Sequence, residues 1–254
     1  MAAPARTFVG TVLRLQPVGD ADLIVSFLGP EVGRVDAFAR SARSSLKRFG
    51  GRLELFVAGE AQVRDGRGRL PTLLGLHRHG ELLGGEVDYP RLALASLVAE
   101  LALCAAQPDH PDRALHDWLL DALAMARAFP ADALREARLG VELGWLDALG
   151  TLPPLGYCGG CGGPVDSGLS WNASHDGARC RSCSPMGAAH LDARDVSALL
   201  AARSGTLRPG GPRLSAAAAR LLHERTAGLL GDHLSRPPRS AEALSALAGR
   251  QGMC

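Results

Sequence analysis

Two tight cysteine pairs, Cys158-Gly-Gly-Cys161 and Cys180-Arg-Ser-Cys183, are separated by eighteen residues that hold Trp171 and several Gly and Ser. A tetrahedral Zn²⁺ takes four thiolates at about 2.3 Å, and each CxxC turn presents two of them, so two such knuckles on a ribbon complete the coordination sphere. Because all four positions are filled by protein, none is left for water or substrate, which predicts a structural zinc and not a catalytic one. Two disulfides or a redox CxxC would need an oxidising compartment or a thioredoxin-like βαβ context, and the chain supplies neither. Gly159, Gly160, Gly162 and Gly163 let the first knuckle turn tightly and aim amides at sulfur. Cys104, in an apolar helical run, reads as a core thiol and Cys254 as a tail thiol, neither of them a ligand.

The 254 residues have a formal net charge of +2 and an ordinary apolar fraction, which predicts a soluble protein of two or three small domains. Residues Met1 to Arg6 lack a basic start followed by an apolar core, and no apolar run approaches the ~20 residues that span a bilayer. A cytoplasmic protein with no membrane partner is therefore expected. Near-neutrality hides a division along the chain. Residues 1–80 carry twelve Lys/Arg against seven Asp/Glu, 81–150 five against twelve, and 151–254 eleven against seven. A basic module precedes an acidic one.

Within the first eighty residues, short β-runs are punctuated by Gly, Pro and Asp: Thr7–Leu15, Asp22–Leu28, Gly33–Ala39, Leu53–Arg64 and Arg69–Leu76. Five strands in that space predict a small closed barrel, with Gly10, Gly33 and Gly59 at bulges or corners. Pro71 counts against the last strand unless that strand lies on an edge. The pattern favours an OB-type barrel, although an SH3-like barrel has the same periodicity.

From Arg91 the period becomes helical, with Leu92, Leu94, Leu97, Val98 and Leu101, then Leu115, Trp118, Leu119 and Leu123, then Leu134, Leu139, Leu143 and Leu146. Pro108, Pro111, Pro130 and the Gly150-Thr-Leu-Pro-Pro segment separate these helices. Two more are expected after Cys183, at Asp192–Ala202 and Ser215–Leu234, with Asp192 and Ser215 as N-caps. The expected fold class is α+β and multidomain: an N-terminal OB-type β-barrel at 1–80, then a helical domain at 81–155 and 188–254 with a Cys₄ zinc ribbon at 156–187 inserted in it. Helices on either side of the ribbon should pack together across it.

The segment after the third strand carries most of the functional information. Arg34, Arg40, Arg43, Lys47, Arg48 and Arg52 face only Asp36 among acids over that window, and Ser41, Ser44 and Ser45 are interleaved with them. Such a run repels itself unless an anion is near, so it reads as a phosphate-tracking loop, with a solvated charged face as the alternative. Phe38, Phe49 and Phe56 are candidate stacking faces for unpaired bases. The apolar neighbours of Phe38 and Phe56 favour barrel core for those two, and Phe49 stays open. Asp20 and Asp22 are explained by a turn before the second strand.

The parts of an enzyme are missing. None of the eight histidines forms an HExxH arrangement, and there is no P-loop, GxSxG or GxGxxG with an acidic partner. His175 and His190 flank the cysteines, but with four thiolates present they read as surface residues.

The succession Gly10-Thr-Val-Leu, Gly19-Asp-Ala-Asp-Leu, Glu31-Val-Gly-Arg-Val, the Arg40–Arg52 segment with Leu-Lys-Arg-Phe, Leu146-Asp-Ala-Leu-Gly, Pro153 to Cys161, Gly177-Ala-Arg-Cys180 and Arg236-Pro-Pro-Arg-Ser240 resembles the RecO family of recombination mediators over nearly the whole chain. The resemblance implies a non-catalytic, cytoplasmic and nucleoid-associated bacterial protein of the RecFOR pathway of DNA repair. Such a protein binds single- and double-stranded DNA, anneals complementary strands and, with RecR, helps RecA replace the single-strand-binding protein. Carried onto this chain, the DNA-contacting set is Arg34, Arg40, Arg43, Lys47, Arg48 and Arg52. The family's site for the acidic C-terminal tail of the single-strand-binding protein lies on the helical domain, where Arg135 and Arg138 are the candidates. A ladder to Glu136 and Glu142 within the helix is the plainer alternative for both. A different class of reading is a zinc-stapled interaction scaffold with little DNA binding of its own.

Overall fold

The structure is a computed structural model, described here for residues 4–45, 47–49, 51–66, 69–171 and 177–251. Two compact units divide the chain: residues 1–88 with 95–127, and residues 89–94 with 128–254. No helix among the described residues is long and apolar enough to cross a membrane.

The first unit is built on strands β1 (Ala5–Val18), β2 (Asp22–Gly29), β3 (Gly33–Ala39), β4 (Val57–Arg64) and β5 (Thr72–Glu81), closed into a barrel in the order β1-β2-β3-β5-β4. This is the OB-type arrangement expected from the strand pattern. Closure depends on β1, whose first half pairs antiparallel with β4 and whose second half pairs with β2; a register shift between Val12 and Arg14 lets it bend from one to the other. The last seam is a parallel contact of Phe38 with Thr72, and Pro71 sits just before β5, using its carbonyl to accept the Phe38 N–H at 2.8 Å. Alternation fills the interior with Val12, Val25, Phe27, Val35, Ala37, Val63 and Leu73, and Phe8 meets Phe27 edge-on at 5.5 Å. Gly59 lies at a register shift with the His77 carbonyl packed over it; a Cβ there would stand 2.3 Å from that oxygen.

The structure corrects several expectations. Leu53–Phe56 is not strand: Phe56 has a φ of 65°, and β4 begins only at Val57. Phe49 and Phe56 are buried, whereas Phe38 is only half-buried on the outer side of β3 and is not core. Strand parity explains this, because Val35, Ala37 and Ala39 already take the inward positions. Cys104 is exposed and not a core thiol. It stands in α1 (Tyr89–Ala105), which is followed by α2 (Arg113–Ala128).

The second unit centres on α3 (Leu134–Ala148), packed by α4 (Ala193–Arg203), α5 (Ala216–Gly231) and α6 (Arg239–Gln251). The ribbon strands β6 (Gly168–Trp171), β7 (Ala178–Arg179) and β8 (Leu191–Asp192) lie between α3 and α4 in sequence and form one sheet in the order β7-β6-β8. Helices from both sides of the ribbon thus pack together, as expected. Asp192 caps α4 by accepting the Asp195 N–H, and Ser215 caps α5 by accepting the Ala218 N–H. The two caps are joined, since Asp195 accepts both the N–H (2.7 Å) and the hydroxyl (3.1 Å) of Ser215. Buried Glu136 accepts the Leu214 N–H at 2.7 Å, so an acid in the first turn of α3 holds the entry to α5. Helix α6 was not expected from the sequence.

Candidate nucleic-acid interface and metal centre

Arg40, Arg43, Lys47, Arg48 and Arg52 are all exposed, on the loop and single 3₁₀ turn (Lys47–Phe49) between β3 and β4. Their partners are neutral. Arg43 donates to the Asp20 carbonyl at 3.1 Å, and Arg48 donates to the Ser45 hydroxyl at 3.1 Å and to the Arg40 carbonyl. None of the five makes an ion pair within the described residues, and nearby Glu54 is taken by Arg78 at 3.1 Å. The acid of the preceding turn orders the loop without neutralising it, because Asp22 accepts the Ser41 N–H at 2.6 Å. Arg48 also lies over the buried Phe49 ring, 4.9 Å from its centroid.

Arg34 differs from these five. It is held on β3 by Asp36 at 2.7 Å and reaches the Leu103 carbonyl at 3.4 Å, with its Nε buried and unpartnered. Asp36 is shared with Arg14 at 3.7 Å, a residue the sequence did not single out.

In the ribbon, one ligand atom from each of Cys158, Cys161, Cys180 and Cys183 lies within 4.8 Å of the others. The knuckle is shaped by backbone: Gly162 N–H reaches the Cys158 carbonyl at 2.8 Å, and Gly160 N–H donates to the Cys158 sulfur at 3.3 Å. Amides of Cys180 and Cys161 bring the Cys158 thiol down to about 6, while the Cys180, Cys161 and Cys158 sulfurs push Cys183 up to about 12. Four sulfurs this close cannot all be anionic unless a cation sits among them, so the set fits a closed tetrahedral metal site. His190 is exposed and outside the cluster, and His175 and Cys254 lie outside the described residues.

A third feature lies wholly in the helical unit. A cavity of about 530 Å³ is lined by Arg135, Arg138, Arg220, His223 and Glu224, with alanines of α5 and α6. Arg138 donates to Glu142 at 2.8 Å, the predicted ladder within the helix, and also to the Ser245 hydroxyl at 3.0 Å. Arg135 donates to the Ala248 carbonyl at 2.9 Å. Arg220 is exposed and engages no other described residue. Sequence inspection missed Arg220 and His223 because the cavity is assembled from three helices far apart in the chain.

A closed five-stranded OB-type barrel with a cationic loop that makes no ion pair among the described residues, followed by a helical unit that carries a tetracysteine ribbon, defines a class of OB-barrel proteins with a metal-binding cysteine set. Residues 5–77 match the family model for the N-terminal part of recombination protein O, and residues 86–242 match that for its C-terminal part. The DNA repair protein RecO of Anaeromyxobacter dehalogenans strain 2CP-C is 38% identical over 239 residues, covering 89% of this chain and 91% of the relative. RecO of Myxococcus xanthus strain DK1622 is 29% identical over 236 residues, covering 92% and 94%. The chain belongs to the RecO family, which places it among proteins of recombinational DNA repair.

Proposed function

We propose that this protein is a non-catalytic recombination mediator. It binds single- and double-stranded DNA without reading sequence, anneals complementary strands, and helps load RecA onto strands coated by single-strand-binding protein, in concert with RecR. The observation that carries this reading is the loop of five exposed cations with no carboxylate partner among the described residues. Phosphates are the natural counter-charge for such a loop, and arginine forks hold them bidentately. Two strands neutralised on one protein repel each other less, and base pairing then supplies the specificity. In this reading Arg34 acts from behind the loop, holding β3 through Asp36.

The cysteine set holds a structural Zn²⁺, whose folding energy keeps the ribbon in place between α3 and α4. The acidic tail of single-strand-binding protein docks in the cavity of Arg135, Arg138 and Arg220. Arg220 receives the carboxylate, because the other two guanidiniums are already engaged on α3 and α6.

The test is fluorescence anisotropy of a labelled single-stranded oligonucleotide across a salt series, comparing the native chain with one in which Arg40, Arg43, Lys47 and Arg48 are alanine. The native chain should lose affinity with a log–log slope of roughly −0.7 per phosphate neutralised, and the variant should show a flatter slope. A native chain that binds no DNA would leave the interaction-scaffold reading in its place.

A further inference from the structure

The outer face of the barrel carries a second feature beside the cationic loop. On β3, Arg34, Asp36 and Phe38 turn outward, and exposed Arg40 follows in the same parity where the loop begins. Phe38 pairs across to half-buried Ile24 on β2, and Ile24 pairs to exposed Gln16 on β1. One rung away, Arg14, Ser26 and Asp36 pair in the same way across the same three strands.

That polar rung is fully wired. Arg14 Nε donates to the Ser26 hydroxyl at 3.2 Å, Ser26 donates to Asp36, and Arg34 closes the row on Asp36 at 2.7 Å. Two guanidiniums therefore share one carboxylate, leaving one net positive charge on the face. Arg14 keeps 44% of its side chain exposed, so that charge is open to solvent. Phe38 thus shares its face of the sheet with Arg14, which lies two strands across and one rung along, and exposed Arg40 follows Phe38 by two residues at the start of the cationic loop.

We infer that Phe38, backed by Ile24, is a stacking platform for an unpaired nucleobase, with Arg14 receiving a neighbouring phosphate. This rests on the DNA-binding reading above and adds to it a site that only single strands use. A duplex keeps its bases stacked inside and offers the barrel only phosphates, whereas an unpaired base has a free π-face. The loop then sets general affinity, and Phe38 sets the preference for single strands.

The experiment uses the full chain with Phe38→Leu, which keeps apolar volume and removes the π-face, and Phe38→Tyr, which restores it. Single-strand affinity should fall about tenfold in Phe38→Leu and return in Phe38→Tyr. Duplex affinity and the salt slope should stay native, since no phosphate contact is lost. Phe38→Trp offers a second readout: its added indole emission should be quenched by an oligothymidylate and not by duplex. Native single-strand affinity in Phe38→Leu, an equal loss on both substrates, or added emission in Phe38→Trp that the oligothymidylate leaves unquenched would each overturn the assignment. If the loop variant loses binding and Phe38→Leu does not, only this inference falls. If the native chain binds no DNA, the DNA-binding reading falls with it.

Discussion

Arg138 sets its Nε 2.8 Å from the Oε1 of Glu142 one helical turn ahead, and the carboxylate it meets is 3% exposed. His223 approaches the other oxygen at 3.6 Å. Burial by itself would raise the Glu142 carboxyl, but His223 and Arg138 more than offset it and leave it below its ordinary value of 4.5. The folded form thus holds the proton less tightly than the unfolded form, so this group's contribution is full above that value. It is lost as pH falls from there through the lower folded value. Glu142→Gln should cost about 3 kcal/mol at pH 7, because it removes the buried charge that holds half-buried Arg138. It should also flatten the acid side of the stability profile in urea titrations; a native-like profile would refute the linkage.

Replacing Cys158 or Cys180 by Ser should abolish metal binding at the cysteine set and lower unfolding free energy by on the order of 4 kcal/mol, the range reached when a structural metal is lost. Metal content by atomic emission, read beside the thermal midpoint, checks this. Single-strand binding by the barrel should persist at temperatures where the altered ribbon is still folded. Variants that keep full metal content and stability would remove the structural-zinc assignment.

Arg34 and Lys47 should separate. Arg34→Ala removes charged hydrogen bonds on β3 and should cost about 1.5 kcal/mol of stability while leaving the salt slope unchanged. Lys47→Ala should leave stability alone and reduce the slope by roughly 0.7. Chemical denaturation and anisotropy on the same two variants give the answer.

In the helical unit, Arg220→Ala should weaken an acidic tail peptide by about tenfold, or 1.4 kcal/mol, with no loss of stability. Arg138→Ala should lower stability as well, since it leaves Glu142 buried without that partner. Calorimetric titration with the peptide distinguishes them, and unchanged affinity in Arg135→Ala, Arg138→Ala and Arg220→Ala alike would move the peptide site elsewhere.

Gly59→Ala tests the barrel seam. Its Cβ would stand 2.3 Å from the His77 carbonyl, so β4 and β5 must part at the bulge, at a cost of about 1–3 kcal/mol. An alanine variant of native stability would mean that the seam is looser than the backbone spacing indicates.

Local periodicity and spacing were enough for most of the elements. Alternating apolar residues marked all five strands because a half-buried strand repeats every two residues, and the N-caps Asp192 and Ser215 were legible because a cap acts within three residues of itself. The clustering of the four cysteines was equally visible, since a CxxC knuckle is a local turn. The pairing of Arg34 with Asp36 was also open to inspection, as residues two apart on a strand share a face.

Three things were decided only by the fold. Phe38 turns outward because the parity of β3 is set by how Val35, Ala37 and Ala39 meet the core, and a shift of one residue would have reversed every side chain. The partners of Arg14 come from strands twelve and more residues away, and the Arg135, Arg138 and Arg220 cavity needs α3, α5 and α6 side by side. The sequence alone determined which residues carry charge and sulfur and which segments become strand or helix, because those follow from short-range periodicity and ligand spacing. The tertiary structure decided which cations are neutralised and which stay bare, because a guanidinium pairs with whatever carboxylate long-range packing brings within reach.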